Sequence, residues 1–127
     1  MGVPPSAPLA GVYVLVVEDD EDARNIYRAI LEYAGALVVT ATSARSALNV
    51  IAEIKFDVVL CDVQLADEDA FWLIRQARAH QPRTPFLAVS GLDFDEHEMR
   101  QAGFVAFLTK PVDPVRLVGR ILRAIGE

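Results

Sequence analysis

Carboxylates and a lysine follow three short apolar runs of the sequence, and these side chains could do chemistry together. Glu18 and Asp19 come directly after the first run, Asp62 ends the second, and Lys110 comes after the third. Grouped carboxylates repel one another unless a cation lies among them. Carboxylates, a backbone carbonyl and water suit octahedral Mg²⁺, which usually binds through one or two carboxylates and a phosphate. The residue types therefore favour a site for a divalent cation.

A hydroxyl group joins this set, because Ser90 ends a fourth apolar run. A lysine supplies a mobile positive charge, and a hydroxyl can also hold phosphoryl oxygens. A carboxylate can itself act as a nucleophile and form an acyl phosphate. Together these residues indicate phosphoryl transfer to an aspartate.

Alternating strand and helix patterns must position these side chains. The apolar runs are short and rich in valine, which is typical of strands buried on both faces of a parallel sheet. We predict strands at residues 12–17, 36–41, 56–62, 86–89 and 104–109, and helices at about 21–34, 44–52, 69–80, 93–102 and 114–125. Repeated βα units require a parallel sheet with right-handed crossovers and helices on both faces. In such α/β sheets the ligand site lies outside the carboxyl ends of the strands, where the polar residues would meet.

The apolar spacing also predicts which residues each helix buries. Ser43 and Asp113 are predicted N-caps, Pro114 is predicted as the first residue of the last helix, and Gly35 and Gly103 are predicted helix stops. The predicted inner faces are Ala23, Ile26, Tyr27, Ile30, Leu31 and Ala34 on the first helix, Ala44, Ala47, Leu48, Ile51 and Ala52 on the second, Phe71, Ile74 and Ala77 on the third, and Val115, Val118, Ile121, Leu122 and Ile125 on the last.

Length and composition set further limits. The 127 residues, 53% of them hydrophobic and 24% charged, predict one globular domain, which we place at residues 12–127 after a flexible tail or linker at 1–11. The net charge of −6 argues against a nucleic-acid-binding surface. No apolar run is long enough for a membrane span and no signal-peptide pattern is present, so we expect a cytoplasmic protein. The single cysteine, Cys61, is predicted to be a buried core residue.

Four motifs in order resemble the receiver domain of bacterial two-component response regulators. They are Val16-Val17-Glu18-Asp19-Asp20, Asp57-Val58-Val59-Leu60-Cys61-Asp62, Val89-Ser90-Gly91 and Phe107-Leu108-Thr109-Lys110-Pro111. The resemblance spans nearly the whole chain after the tail, and four spaced motifs are far more specific than one. It implies a flavodoxin-like, doubly wound α/β fold: a five-stranded parallel sheet in the order 2-1-3-4-5 with five helices on its two faces.

The resemblance also implies a role for each acidic residue of the site. Asp62 would be the phosphoacceptor. Glu18 and Asp19 would be the acidic pair, with Asp19 directly on Mg²⁺. Asp62 and the backbone carbonyl of Gln64 would be further ligands. Asp20 is interpreted as a helix-opening or neighbouring group and not as a ligand.

The remaining implied roles belong to the switch. Ser90 would be the hydroxyl that turns toward the phosphoryl group, and Lys110 would form an ion pair with that group. Phe107 would be an aromatic switch that packs inward when Ser90 moves. The Lys110-Pro111 peptide bond is expected to be cis.

Two residues depart from the family pattern in the segment after Asp62. The family usually has a proline where this chain has Ala66 and a glycine where it has Ala70. Glycine is used where the backbone needs a positive φ or a close approach. We therefore expect an unusual path for the loop from Val63 to Ala70.

The function implied by the resemblance is a phosphorylation-dependent switch. The phosphohistidine of a histidine kinase or a phosphotransfer domain would donate to Asp62, and a surface of the fourth helix, fifth strand and fifth helix would then change its contact with an output partner or domain. A homodimer could form through the same surface. The domain would catalyse its own phosphorylation and dephosphorylation without turning over an external substrate.

Two alternatives remain at this stage. A pseudo-receiver would have the same fold but act as a protein-binding module without phosphorylation. A hydrolase with a phosphoaspartyl intermediate is a weaker alternative, because it would need a separate cap for its substrate. The segments at residues 65–75 and 110–114 resemble, in particular, receivers of hybrid histidine kinases.

Overall fold

Five strands and five helices alternate along the part of the chain that the structure, a computed structural model, describes, namely residues 7–126. The elements are β1 (Tyr13–Val17), α1 (Glu21–Tyr33), β2 (Leu37–Ala41), α2 (Ala44–Ile51), β3 (Val58–Asp62), α3 (Ala70–Ala77), β4 (Phe86–Ser90), α4 (Glu96–Ala102), β5 (Phe104–Thr109) and α5 (Pro114–Ala124). All neighbouring strands are parallel, and their order is β2-β1-β3-β4-β5. This confirms the predicted doubly wound α/β fold.

The sheet separates two hydrophobic layers. Alternate residues of a strand point to opposite faces: Leu15 and Val17 belong to one layer, and Val14 and Val16 to the other. Every residue of β3 and β4 is buried, whereas the edge strand β2 is mostly half-buried. Burial on both faces explains why the central strands read as continuous apolar runs.

Helix ends lie close to where the sequence predicted them. Ser43 caps α2 in a capping box with Ser46, and Asp113 caps α5 with Pro114 at its first position. Gly35 and Gly103 follow α1 and α4 with φ of 103° and 111°, a left-handed conformation that glycine adopts without steric cost. The fourth helix begins at Glu96, later than predicted, because Asp95 takes the N-cap position and accepts hydrogen bonds from the N–H groups of residues 97 and 98.

Some predicted inner faces were wrong. Ile26 is 57% exposed and Val115 80% exposed, and Ala52 is also exposed. On the fifth helix the predicted Ile121 is completely buried, and so is Leu117, which was not predicted. Residues four apart lie on the same side of a helix, so Leu117 and Ile121 together face the sheet. The buried face is therefore narrower than predicted, and the apolar residues beside it lie at the edge of the interface.

The packed domain also begins before the predicted boundary at residue 12. Leu9 is fully buried in the core layer that contains Leu31, and its N–H donates to the carbonyl of Ala34 at 2.8 Å. The segment at residues 1–11 was interpreted as a tail because it lacks charge. The buried side chain of Leu9 nevertheless attaches its last residues to the core. The remainder of the predicted tail, residues 1–6, lies outside the described residues.

A buried glutamine, which the sequence did not single out, links two connections of the sheet. The side-chain oxygen of Gln81 accepts from the Phe56 N–H at 3.0 Å and from the Thr84 hydroxyl at 2.8 Å. Its amide nitrogen donates to the carbonyls of Ile51 and Ile54. Because buried polar groups are costly unless they are paired, this fully used side chain fixes the segments that lead into β3 and β4.

Among the helices within residues 7–126, none combines the length and the apolar character that crossing a bilayer requires.

Replacement of Leu9 by alanine tests whether the segment before β1 is part of the fold. Leu9→Ala is expected to lower the free energy of unfolding by at least about 2 kcal/mol, because it leaves a cavity in the core. Val115→Ala, at an exposed apolar residue, is expected to change it by less than about 0.5 kcal/mol. Urea denaturation measures both values, and equal values for the two variants would contradict the assignment.

Candidate functional site

The side chains that the sequence predicted to form the functional site meet at one edge of the sheet. Glu18 follows β1, Asp62 ends β3, Ser90 ends β4 and Lys110 follows β5. Because all five strands are parallel, their carboxyl ends share this edge. It includes the point where the strand order reverses, since β1 lies between β2 and β3, and this is where open α/β sheets bind ligands.

Three carboxylates form the centre of the site. Oxygen atoms of Glu18, Asp19 and Asp62 all lie within 4.8 Å of one another. Glu18 is only 1% exposed and Asp62 9%, whereas Asp19 is open to solvent. Glu18 also accepts a hydrogen bond from the Asp20 N–H at 3.1 Å.

Lys110 lies against the two buried carboxylates. Its Nζ is 2.8 Å from Asp62 Oδ2 and 3.1 Å from Glu18 Oε1. Burial alone would lower the pKa of Lys110, but the hydrogen bonds and charges of Asp62 and Glu18 raise it above its usual value. The lysine therefore stays charged at neutral pH.

Burial has the opposite consequence for Glu18. Loss of water raises the pKa of Glu18, and the charge of Asp62 acts in the same direction, while the Asp20 N–H and Lys110 partly offset both effects. Lys110 alone thus does not balance the three carboxylates, and the cluster keeps an excess of negative charge. An additional cation would relieve it.

The set of donor atoms fits a hard divalent cation. Every ligand candidate in the cluster is a carboxylate oxygen, and one of the carboxylates is exposed and accessible to a hydrated ion. Such oxygens with retained water are the surroundings that Mg²⁺ prefers. The predicted further ligand, Gln64, lies beside the cluster, because its backbone N–H donates to Asp62 Oδ1 at 3.3 Å.

The two predicted switch residues, Ser90 and Phe107, are both buried and lie on neighbouring strands. Ser90 is 4% exposed, and its hydroxyl accepts from the Leu92 N–H at 3.0 Å. Within residues 7–126 it makes no hydrogen bond to the side chains of Asp62 or Lys110. Phe107, on β5, points inward and is 9% exposed.

Phe107 is enclosed by two residues from the segment around α4. The ring of Phe94 lies 5.6 Å from its ring centroid, and the guanidinium carbon of Arg100 lies 4.9 Å above it. The Lys110-Pro111 bond is cis, as the resemblance implied. The sequence contained Phe94 and Arg100, but no spacing rule connected them with Phe107.

The loop after Asp62 contains no strained residue. No residue other than glycine has a positive φ in the described chain, and Ala70 is simply the first residue of α3, fully buried. The loop is closed at its base by the Ala70 N–H, which donates to the Val63 carbonyl at 3.1 Å. Alanine is therefore accommodated at this position, because a helical φ suits it, and the unusual loop path stays a prediction.

Two other residues near the site have structural roles that were expected. Asp20 caps α1 and accepts from the Ala23 N–H at 2.9 Å. Cys61 is completely buried, and this burial raises the pKa of its thiol. Cys61 is closed off from solvent, and Asp20 is not part of the carboxylate cluster found within residues 7–126.

Sequence comparison finds one family along almost the whole chain. The sequence model described as "response regulator receiver domain" matches residues 14–122. An uncharacterized 14.6 kDa protein of Leptolyngbya boryana is 36% identical over 114 residues, which are 87% of each chain. The transcriptional regulatory protein ZraR of Salmonella typhimurium is 34% identical over 116 residues, which are 90% of this chain but 26% of ZraR. The chain therefore spans about a quarter of the length of that regulator.

Structural comparison gives the same result. The receiver domain of a sensor histidine kinase from Pseudomonas aeruginosa, solved with a magnesium ion coordinated in its active-site cleft, has a TM-score of 0.84 at 28% identity. The match covers 93% of this chain and all of that domain. The bound magnesium ion was observed in the Pseudomonas aeruginosa domain.

Removal of the Lys110 charge tests the electrostatics of the carboxylate cluster. Lys110→Met is expected to lower the free energy of unfolding by about 3 kcal/mol at neutral pH with chelator, because two buried carboxylates lose their cation. Added MgCl₂ is expected to raise the stability of this variant more than that of the unsubstituted protein, because a more negative cluster binds the ion more tightly.

Lys55→Met is the matched control, since Lys55 is exposed and makes no ion pair within residues 7–126. Urea denaturation with chelator and with MgCl₂ gives the values for each protein. An equal effect of MgCl₂ on Lys110→Met and on the unsubstituted protein would contradict a cation site at these carboxylates.

Proposed function

Because the chain belongs to the response regulator receiver domain family, we propose that Asp62 accepts a phosphoryl group and that Glu18, Asp19, Asp62 and the Gln64 carbonyl hold the Mg²⁺ that the reaction needs. The observation that carries the proposal is the position of Asp62. It ends the central strand with one carboxylate oxygen on Lys110 and the other on the Gln64 N–H. Both contacts orient the carboxylate, and the lysine supplies positive charge where the phosphoryl oxygens would lie.

The proposed reaction transfers the group from nitrogen to oxygen. A carboxylate oxygen of Asp62 attacks phosphorus, the bond to the donor's histidine nitrogen breaks, and that nitrogen keeps the electron pair. Mg²⁺ would offset the charge on the phosphoryl oxygens. Lys110, already beside Asp62, can then pair with the new phosphate without a long movement.

The proposed donor is a histidine kinase or a phosphotransfer domain. A related structure is the receiver domain of a sensor histidine kinase, and the relative ZraR is named a transcriptional regulatory protein. These names support a two-component partner on the input side and an output partner or domain on the other side. The output partner or domain is proposed as well, because the chain spans only about a quarter of the length of ZraR.

The signal would leave the site through Ser90 and Phe107. Ser90 would give up the Leu92 N–H and turn toward the phosphate, and Phe107 would repack in the space that this movement opens. Phe107 borders a cleft of about 500 Å³ between α4, β5 and α5, whose lining also includes Phe94, Arg100, Arg116 and Arg120. A shift of the ring would therefore change a surface on which an output partner, or a second copy in a homodimer, could bind.

The pseudo-receiver alternative is less well supported. Its main argument was the pair Ala66 and Ala70, and Ala70 fits the loop without strain. The acceptor, the acidic pair and the lysine are all present and lie together.

Phosphorylation of Asp62 can be tested by intact mass. Incubation with acetyl phosphate and Mg²⁺ is expected to add one phosphoryl group to the unsubstituted protein and none to Asp62→Asn, because an amide does not form the acyl phosphate. Asp57→Asn, which changes an aspartate just before the opposite end of the same strand, is expected to be phosphorylated normally. A phosphoryl group on Asp62→Asn, or one that forms with chelator present, would contradict the proposal.

The role of Ser90 can be tested with the ring of Phe107. The ring resonances of Phe107 are expected to shift on phosphorylation of the unsubstituted protein. In Ser90→Ala they are expected to shift much less, although Asp62 is still phosphorylated, because the hydroxyl that links the phosphate to the ring is missing. NMR spectra before and after acetyl phosphate measure this, and equal shifts in both proteins would show that Ser90 does not transmit the signal.

A further inference from the structure

The loop that follows Asp62 is held at its tip by a contact that the sequence motifs do not include. The two carboxylate oxygens of Asp67 accept hydrogen bonds from consecutive backbone N–H groups, those of Ala44 and Arg45, each at 3.0 Å. These are the first two residues of α2. One carboxylate thus takes two of the N–H groups that a helix start leaves without partners.

The start of α2 is a firm attachment point. Ala44, Ala47 and Ile51 are buried in the core, and the N–H of Ser46 is bonded to the Ser43 hydroxyl of the capping box. The positive end of the helix dipole favours a carboxylate at this position. Burial alone would raise the pKa of Asp67, but the backbone N–H bonds lower it below its usual value, so the carboxylate is charged at neutral pH.

A second contact beside Asp67 is weaker. The Arg45 guanidinium lies 3.1 Å from the Glu68 carboxylate and 5.1 Å from the centre of the Trp72 ring. The side chain of Arg45 is 66% exposed, and exposed ion pairs contribute little to stability. Asp67, which bonds to backbone on a packed helix, is therefore the main attachment of the loop tip.

The attachment lies three residues from a proposed metal ligand. The hydrogen bond between the Ala70 N–H and the Val63 carbonyl closes the base of the loop. Asp67 attaches the tip of the loop to α2. Gln64 therefore lies on a short segment that is held at both ends. A ligand that is already in place does not have to be ordered when the ion binds. Loss of the attachment would release the segment that carries the carbonyl of Gln64.

We propose that Asp67 is a positioning residue for the phosphoryl-transfer site: it fixes the loop to the start of α2 and thereby presents the Gln64 carbonyl to Mg²⁺. The inference rests on the proposed function, because it takes Gln64 as a ligand and Asp62 as the acceptor. Asp67 itself contacts neither the ion nor the phosphoryl group.

The experiment compares Asp67→Ala with Ser43→Ala. Both variants remove side-chain hydrogen bonds from the start of the same helix, but only the first detaches the loop. Backbone amide shifts of residues 63–68 during MgCl₂ titration give the magnesium midpoint of each protein. Asp67→Ala is expected to raise the midpoint about tenfold, the low end for residues that orient metal ligands, while Ser43→Ala leaves it unchanged. Asp67→Asn, whose amide keeps one accepting oxygen, is expected to lie between.

Phosphorylation rates provide a second readout. With acetyl phosphate at limiting Mg²⁺, Asp67→Ala is expected to react several-fold more slowly than the unsubstituted protein and to approach its rate at saturating Mg²⁺. A purely structural role would lower the fraction of folded protein at both concentrations alike.

Three results would overturn the proposal. They are an unchanged magnesium midpoint in Asp67→Ala, an equal rise in Ser43→Ala, and no magnesium binding by the unsubstituted protein. If the unsubstituted protein binds Mg²⁺ but takes up no phosphoryl group, the proposed function fails and Asp67 has no transfer reaction to support.

Discussion

Lys110 holds its ammonium group between Glu18 and Asp62, and both carboxylates are almost completely removed from water. Charges in this position are costly unless each has a partner. One lysine offsets only part of the negative charge of three carboxylates, so the cluster retains a capacity for a second cation. The same lysine lies 2.8 Å from Asp62 Oδ2 and would therefore be beside the proposed phosphoryl group. The electrostatic imbalance therefore suits the site both to the ion and to the reaction.

The parallel sheet is what brings these charges together. Glu18, Asp62 and Lys110 are far apart in the chain, but each stands at the carboxyl end of a strand, and strands of equal direction present these ends at one edge. Burial of β3 on both faces fixes the position of Asp62, since no residue of that strand can turn toward solvent. The hydrophobic layers thus fix the position of the proposed acceptor carboxylate, and the exposed Asp19 leaves the cluster accessible to a hydrated ion.

Two connections lead away from the site. On one side β5 carries Lys110 and also Phe107, whose ring is covered by Phe94 and Arg100 at the cleft beside α4 and α5. On the other side the loop after Asp62 reaches the start of α2 through Asp67. In the proposed switch, the first connection transmits a change to a surface, and the second keeps the loop in place while this happens. A switch needs both a part that moves and a part that does not.

The sequence by itself determined the order of strands and helices, the caps at Ser43 and Asp113, and the carboxylate, hydroxyl and lysine of the site, because these depend on local periodicity and on motifs at fixed spacing. It could not decide which flank of a helix faces the sheet, so Val115 was predicted inside and Leu117 was missed. It also gave no indication that Leu9 is buried, that Gln81 links two connections, or that Asp67 bonds to α2. Each of these depends on contacts between residues distant in the chain, and a short polar or apolar side chain carries no local pattern that identifies its partner. Only the tertiary structure, which brings those partners within hydrogen-bonding or packing distance, decided them.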